Sequence, residues 1–348
     1  MSTRYARSRQ YVGIDLHRRR SVIVRMSGPG EVLDCVQIDN SVAALVAEVG
    51  KAGKGAEVAV EATYGWYWAV DALSDAGFDV HLAHPRGIAS MQDRRPKTDQ
   101  LDARELADLL RIGRLAQAWI APPETRQLRE LVRYRHKLVR SRSAVKASVH
   151  AVLGKCGVIP ELADVFGPVG AKLLDGLDLP EPYASRLASQ RRVMAVLTAE
   201  ITKLDTEIAH RLADDPAYRA LLGINGIGPV TAAIFVAEIG DVHRFGSPDQ
   251  LACWAGLTTR VDSSDRHRRE GHVSKQGSRL LRWAAVEACQ RIREPYLVDK
   301  RRAIMARRGK KAQPIATVAT ARHLLRVVYY TMRDGQARCL TAALPAPA

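Results

Sequence analysis

Apolar positions before residue 120 fall in short runs, while those after it recur at helical spacing. Residues 11–17, 21–26 and 32–38 are predicted as three short strands, with turns at Arg18-Arg19-Arg20 and Gly28-Pro29-Gly30. A short amphipathic helix follows at 42–49, then a buried strand at 57–62, a helix at 66–76 and a strand at 78–84 closed by Pro85. Three meandering strands followed by a strand–helix–strand pattern predict the mixed sheet of an RNase H-like domain.

Downstream the period changes. Residues 124–153 form one predicted helix, with Leu128, Leu131, Val132, Leu138, Val139, Val145, Val149 and Val152 on its apolar stripe. Residues 154–182 read as a helical connector. A second long helix at 184–212 carries Leu187, Val193, Val196, Leu197, Ile201, Leu204 and Ile208 at heptad-like spacing. The two long helices are expected to pair as an antiparallel hairpin or between protomers. From 217 onward a mostly helical region is expected. There Leu221–Leu222 and the turn Gly223-Ile224-Asn225-Gly226-Ile227-Gly228 precede a helix at 231–239, in the form of a helix-hairpin-helix. The remaining predicted helices are 276–293 and 316–333. The expected division is therefore an α/β domain over 1–120, a long-helix coiled-coil region over 121–215 and a mostly α-helical domain over 216–348.

Charge gives this outline a partner. The 348-residue chain has a net charge of +16, which calls for a polyanion. Residues 1–115 carry 16 Lys/Arg against 15 Asp/Glu, so nearly all the excess lies beyond them. Eight cations fall between Arg126 and Lys146, and Arg129, Arg133, Lys137 and Arg140 are the expected phosphate contacts on that helix. The Gly226–Gly228 turn, at a helix N-terminus, offers backbone N–H groups to a phosphate. Five scattered cysteines without CxxC pairing argue against a disulfide framework or zinc site. With no apolar run of about 18 residues, no membrane span is expected.

Four acids supply candidate chemistry. Asp15 and Glu61 end apolar strand runs, and Asp99 and Asp102 stand three apart at the start of a helical pattern. Such acids can converge on hard cations, and phosphodiester chemistry with two divalent ions needs three or four shared carboxylates. Mg2+ is the expected ion, with Mn2+ as the alternative. His17, two residues after Asp15, is expected to support the ligands and not to join them. Tyr64, Trp66, Tyr67 and Trp68 are expected to pack on the sheet, and Ser274 to cap the helix after it. No Gly-rich phosphate loop follows the first strand, which excludes a sugar-kinase reading.

The segments Tyr11-Val12-Gly13-Ile14-Asp15, Val60-Glu61-Ala62-Thr63 and Lys97-Thr98-Asp99-Gln100-Leu101-Asp102-Ala103-Arg104 resemble the DEDD transposases of the IS110 insertion-sequence family, relatives of the Piv and MooV invertases. Gly226-Ile227-Gly228, Ala255-Gly256-Leu257 and His272-Val273-Ser274-Lys275-Gln276-Gly277 resemble that family's C-terminal domain. The resemblance implies a RuvC-like domain holding metal on Asp15, Glu61, Asp99 and Asp102. It also implies a serine nucleophile, placed by count from Ala-Gly-Leu on Ser264. Thr259 stands where the family usually has proline, which leaves Ser263 as a rival. Arg260, Arg266, Arg268 and Lys275 are the implied phosphate contacts beside it. Donor and target DNA, a bridge RNA, a homodimer assembling to a tetramer with shared active sites, and a cytoplasmic, nucleoid-associated location in a prokaryote are implied in the same way. The competing reading is a RuvC-like Holliday-junction or structure-specific endonuclease, which hydrolyses DNA with no covalent serine intermediate.

Overall fold

Alternation along two central strands decides how the N-terminal unit is layered. The computed structural model describes residues 9–85, 98–264 and 267–337, and the chain divides into compact units Met1–Ala121 and Pro122–Ala348. In the first unit β1 (Gln10–Leu16), β2 (Arg20–Ser27), β3 (Val32–Asp39), β4 (Glu57–Glu61), β5 (Asp79–Ala83) and β6 (Gln117–Ala118) form one sheet in the order β3-β2-β1-β4-β5-β6. The β1–β2 and β2–β3 pairs are antiparallel, β1–β4 and β4–β5 parallel, and β5–β6 antiparallel.

Successive side chains on a strand point to opposite faces. Val12, Ile14 and Leu16 of β1 and Val58 and Val60 of β4 share a core with α1 (Val42–Gly50) and α2 (Trp66–Asp75), through Leu45, Val49, Val70 and Leu73. The opposite parity, Tyr11 of β1, Ala59 of β4 and Ala83 of β5, packs with Leu106, Leu109 and Leu110 of α3 (Asp99–Arg111). Ser41 caps α1 by accepting from the Ala44 N–H, and Thr98 caps α3 by accepting from the Leu101 N–H. Trp66 and Trp68 pack against the α1–α2 core, whereas Tyr64 is fully exposed.

The second unit is helical apart from one hairpin among its described residues. α4 (Pro123–Lys155), 33 residues or about 50 Å at 1.5 Å per residue, runs antiparallel to α6 (Tyr183–Arg211). The contacts show the direction: Gln127 meets Arg211, Arg135 meets Asp205, Arg142 meets Thr198, and Ser148 meets Gln190 and Arg186. The connector holds one short helix, α5 (Pro168–Asp175), and a small core of Val149, Val152, Leu153, Val165, Leu174 and Leu187 at the hairpin tip.

At the other end Leu128, Val132, Ile208 and Leu212 enter one large core with α7 (Pro216–Leu222), α8 (Pro229–Ile239), α9 (Pro248–Trp254), α10 (Arg279–Arg291), α11 (Pro295–Arg308) and α12 (Gln313–Asp334). The long helices are thus built into the C-terminal core at their base. Between α9 and α10 the chain forms the hairpin β7 (Thr259–Ser264) and β8 (His267–Val273).

Candidate functional site: a carboxylate cluster and a hairpin

Asp15 has the same parity on β1 as Tyr11 and Gly13, so it points to the α3 face. The register Ile14↔Val60 sets Glu61 beside it at the end of β4. The first turn of α3 holds Asp99 and Asp102. What lets α3 approach so closely is Gly13: a Cβ there would lie 2.0 Å from the Ala103 carbonyl oxygen and 2.6 Å from the Ala107 nitrogen. The strand end is tied down by neighbours. Asn40 Nδ2 donates to the His17 carbonyl at 2.7 Å, and Thr63 Oγ1 to the Leu16 carbonyl at 3.3 Å.

The charges of Asp99 and Asp102 reach Asp15. Asp15 is 4% exposed. Burial raises its pKa, and the nearby Asp99 and Asp102 charges raise it further against the opposing pull of His17. His17 Nε2 lies 3.1 Å from Asp15 Oδ2 and 3.3 Å from Asp99 Oδ1. Burial disfavours its charged form, but Asp15 and Asp99 together outweigh it and raise its pKa. Ligand atoms of Asp15, His17 and Asp99 lie within 4.8 Å of one another, close enough to share a cation. Oxygen donors crowded to the point of mutual repulsion fit a divalent ion, which relieves that repulsion. His17 therefore stands inside the cluster, closer than the sequence reading placed it. Its i,i+2 spacing from Asp15 on one strand was the available signal.

The Ala-Gly-Leu and Lys-Gln-Gly segments form one interlocked turn at the base of the β7–β8 hairpin. Gly256 (φ +72) and Gly277 (φ +68) leave no room for side chains, since Cβ atoms would sit 2.2 Å from the Gln276 oxygen and 2.0 Å from the Trp254 oxygen. Lys275 has φ 53, uncommon for a residue with a Cβ, and its N–H donates to the Gly256 carbonyl at 3.1 Å. Arg282 Nη1 ties the turn by donating to the carbonyls of Ala255 (3.0 Å), Gly277 (3.2 Å) and Gln276. From this base the strands run out to Ser264 paired with His267, and Ser263 with Arg268. Both serines are thus at the hairpin's turn. Arg260 is exposed on β7, and Arg266 lies outside the described residues. The cap of α10 is Ser278, which accepts from the Leu281 N–H at 3.1 Å. Ser274 belongs to the turn instead, its N–H on the Thr258 carbonyl, because the Lys-Gln-Gly turn after β8 delays the helix to Arg279.

Other predicted contacts divide. Lys137 and Arg140 are exposed on α4. Arg133 instead binds Glu238, a carboxylate 2% exposed, through Nε (2.8 Å) and Nη2 (3.0 Å). Arg129 donates to the carbonyls of Ala237 (2.7 Å) and Glu238 (3.0 Å) at the end of α8. These two guanidinium groups join α4 to α8, because the base of α4 packs on α8 and its polar face meets a buried acid there. Gly226 (φ +101) is required by packing, a Cβ lying 2.6 Å from Ile292 Cα, whereas Gly228 faces open space before α8. Both line a cleft of about 560 Å³ with Arg135, Trp283, Glu287 and Arg291.

Comparison with known proteins supplies a family. A DEDD transposase model of IS110 elements matches residues 12–157, and the model of the transposase IS116/IS110/IS902 family matches residues 218–296. A Pseudomonas aeruginosa protein named "Probable family 20 transposase" is 28% identical over 233 residues, 65% of this chain and 68% of its own. The Yersinia enterocolitica transposase for insertion sequence element IS1328 is 27% identical over 239 residues, 68% of this chain and 70% of its own. An uncharacterized protein of insertion element IS116 from Streptomyces clavuligerus is 27% identical over 347 residues, 81% of this chain and 84% of its own. The class is that of the transposases, enzymes of DNA cleavage and strand transfer. Within it, the chain belongs to the IS116/IS110/IS902 family.

Proposed function

We propose that this transposase cuts and rejoins DNA for an insertion sequence, with a Mg2+-binding DEDD site in the first unit and a serine nucleophile on the hairpin of the second. The carrying observation is the convergence of strand-end and helix-start carboxylates on one sheet face, with Asp15 buried and repelled by Asp99 and Asp102. The strand order 3-2-1-4-5, an antiparallel meander joined to parallel strands, supports an RNase H-like (RuvC-like) reading of the sheet.

Asp15, Glu61, Asp99 and Asp102 would hold the ion, Mg2+ or in its place Mn2+. When bound, it supplies charge neutralisation on the phosphate oxygens and a lower barrier for the attacking oxygen. Ser264 is the proposed nucleophile, with Ser263 as the rival one register step away. In the transfer its Oγ–phosphorus bond forms, a phosphorus–sugar oxygen bond breaks, and the serine proton ends on the released sugar hydroxyl. Arg260, Arg266, Arg268 and Lys275 would neutralise the phosphate, and Gly228, Lys137 and Arg140 would hold the DNA backbone further out. A bridge RNA that pairs with donor and target DNA, and a homodimer assembling to a tetramer, complete the proposal. The excess of cations beyond residue 115 supports contact with a second nucleic acid.

The test is to trap a covalent protein–DNA adduct with the co-purified RNA present. Wild type is expected to form the adduct, and Ser264→Ala and Asp102→Ala are expected to abolish it. DNA cut by Ser264→Ala and Ser263→Ala alike, with no adduct from wild type, would replace the proposal with a hydrolytic endonuclease.

A further inference from the structure

α11 differs from the other helices of the second unit in what holds it. Leu297 is its single fully buried residue, and Asp299 its single acid, 3.8 Å from Arg302. A helix with so little full burial is usually laced with ion pairs of both signs on its exposed face. Here Asp299 serves Arg302 alone, and the cations at the C-terminal end have no such partner among the described residues. Arg307, Arg308 and Lys311 are exposed, and none has an acid within ion-pair distance among the described residues. Gly309 (φ +75) ends the helix, residues Lys310–Ala312 make a single tight turn, and the first turn of α12 carries no acid.

Arg307 and Arg308 do complement the C-terminal end of the α11 dipole, worth about 0.3–1 kcal/mol at an exposed helix end. That does not account for Lys311, which lies past the helix, or for the use of arginine. Adjacent like charges cost free energy, and the planar guanidinium fork is the side chain that matches phosphate oxygens in pairs. Further along the α11–α12 pair the field is positive as well. His323 of α12 has its pKa lowered, by burial first and then by Lys300, Arg326 and Arg322, with Asp249 opposing. Arg326 also buries its Nε without a hydrogen-bond partner.

We propose that the α11–α12 corner, through Arg307, Arg308 and Lys311, grips the phosphodiester backbone of a nucleic acid. This is a contact surface separate in the chain from the acids, the serine hairpin and α4. It rests on the transposase reading only in taking a nucleic acid as the partner. The same phosphate chemistry is offered by a DNA duplex and by a folded RNA, and the test distinguishes them.

Full-length protein and the triple variant Arg307→Ala/Arg308→Ala/Lys311→Ala are titrated by fluorescence anisotropy against a labelled DNA duplex and, separately, a labelled RNA hairpin. Salt is varied between about 50 and 200 mM, where each lost phosphate contact flattens the log–log salt slope by about 0.9 on duplex DNA and about 0.7 on single strands. A flattening on DNA alone assigns the corner to DNA, on RNA alone to the RNA, and on both to a shared grip. The variant Arg307→Lys/Arg308→Lys, which keeps the charge, is expected to retain the wild-type slope. Wild-type melting of the triple variant with no change of slope on either probe overturns the proposal. Binding is read without strand cleavage, so a failure here is distinct from a failure to form the serine adduct. Loss of folding in the alanine variant would be seen in its melting curve, and Arg307→Gln/Arg308→Gln/Lys311→Gln then carries the same slope comparison.

Discussion

At Gly13 a missing side chain sets the distance between the carboxylates of β1 and α3. A methyl group there has no direction in which to relax, because both obstacles are backbone atoms of α3. Gly13→Ala must therefore lift the helix that carries Asp99 and Asp102 from the strand that carries Asp15. Overpacking of this kind costs about 1–3 kcal/mol. The expected result is a chain that still folds, with a lowered urea midpoint, and needs more Mg2+ or Mn2+ to reach the same metal-induced rise in melting temperature. An unchanged metal requirement would show that α3 is not held by this contact. At the same scale, alternation on β1 explains why Asp15 and His17 share a face.

The element scale is where the sequence reading and the structure part most clearly. The long α4 was legible from its apolar stripe, and its cations were legible as a count. Which of them remain available to a ligand was not, because that depends on which element lies opposite. Arg133 meets Glu238 of α8, 105 residues away in sequence, only through tertiary packing. Removing one member of a buried, hydrogen-bonded ion pair leaves the other charge uncompensated. For the half-exposed Arg133, Arg133→Ala is expected to cost about 2 kcal/mol in urea unfolding and to leave the salt dependence of DNA binding unaltered. A flattened salt slope with unaltered stability would return Arg133 to the DNA surface. The β7–β8 hairpin was missed for a related reason. Its Asp-Ser-Ser-Asp run reads as turn chemistry, and the pairing that makes it a hairpin joins residues on both sides of that turn.

Across the whole chain, charge is divided as the core is. The first unit is close to neutral and the excess cations belong to the second. Two histidines of the second unit register this. His136 has its pKa lowered by burial, then by Arg140 and Arg135, and His323 by burial, then by Lys300, Arg326 and Arg322. A histidine whose folded pKa is depressed binds its proton more readily in the unfolded chain. Stability is then fully present above the unfolded value of about 6.5 and falls as pH drops below it toward the folded value. Melting temperature is expected to decline through that window, and His323→Gln is expected to make the decline shallower. An equal decline in the variant would move the acid sensitivity to His136 or to other groups.

The acids, their strand-end and helix-start positions, the strand–helix order and the cationic excess were all determined by the sequence, because each rests on local spacing and composition. The structure decided what needs contacts between distant residues. It set Glu61 beside Asp15 by strand register, brought α3 onto β1 at a glycine, drew His17 into the carboxylate cluster, and turned two expected phosphate contacts into the joint between α4 and α8. A one-dimensional pattern records which face a residue is on; only the packed chain settles what that face meets.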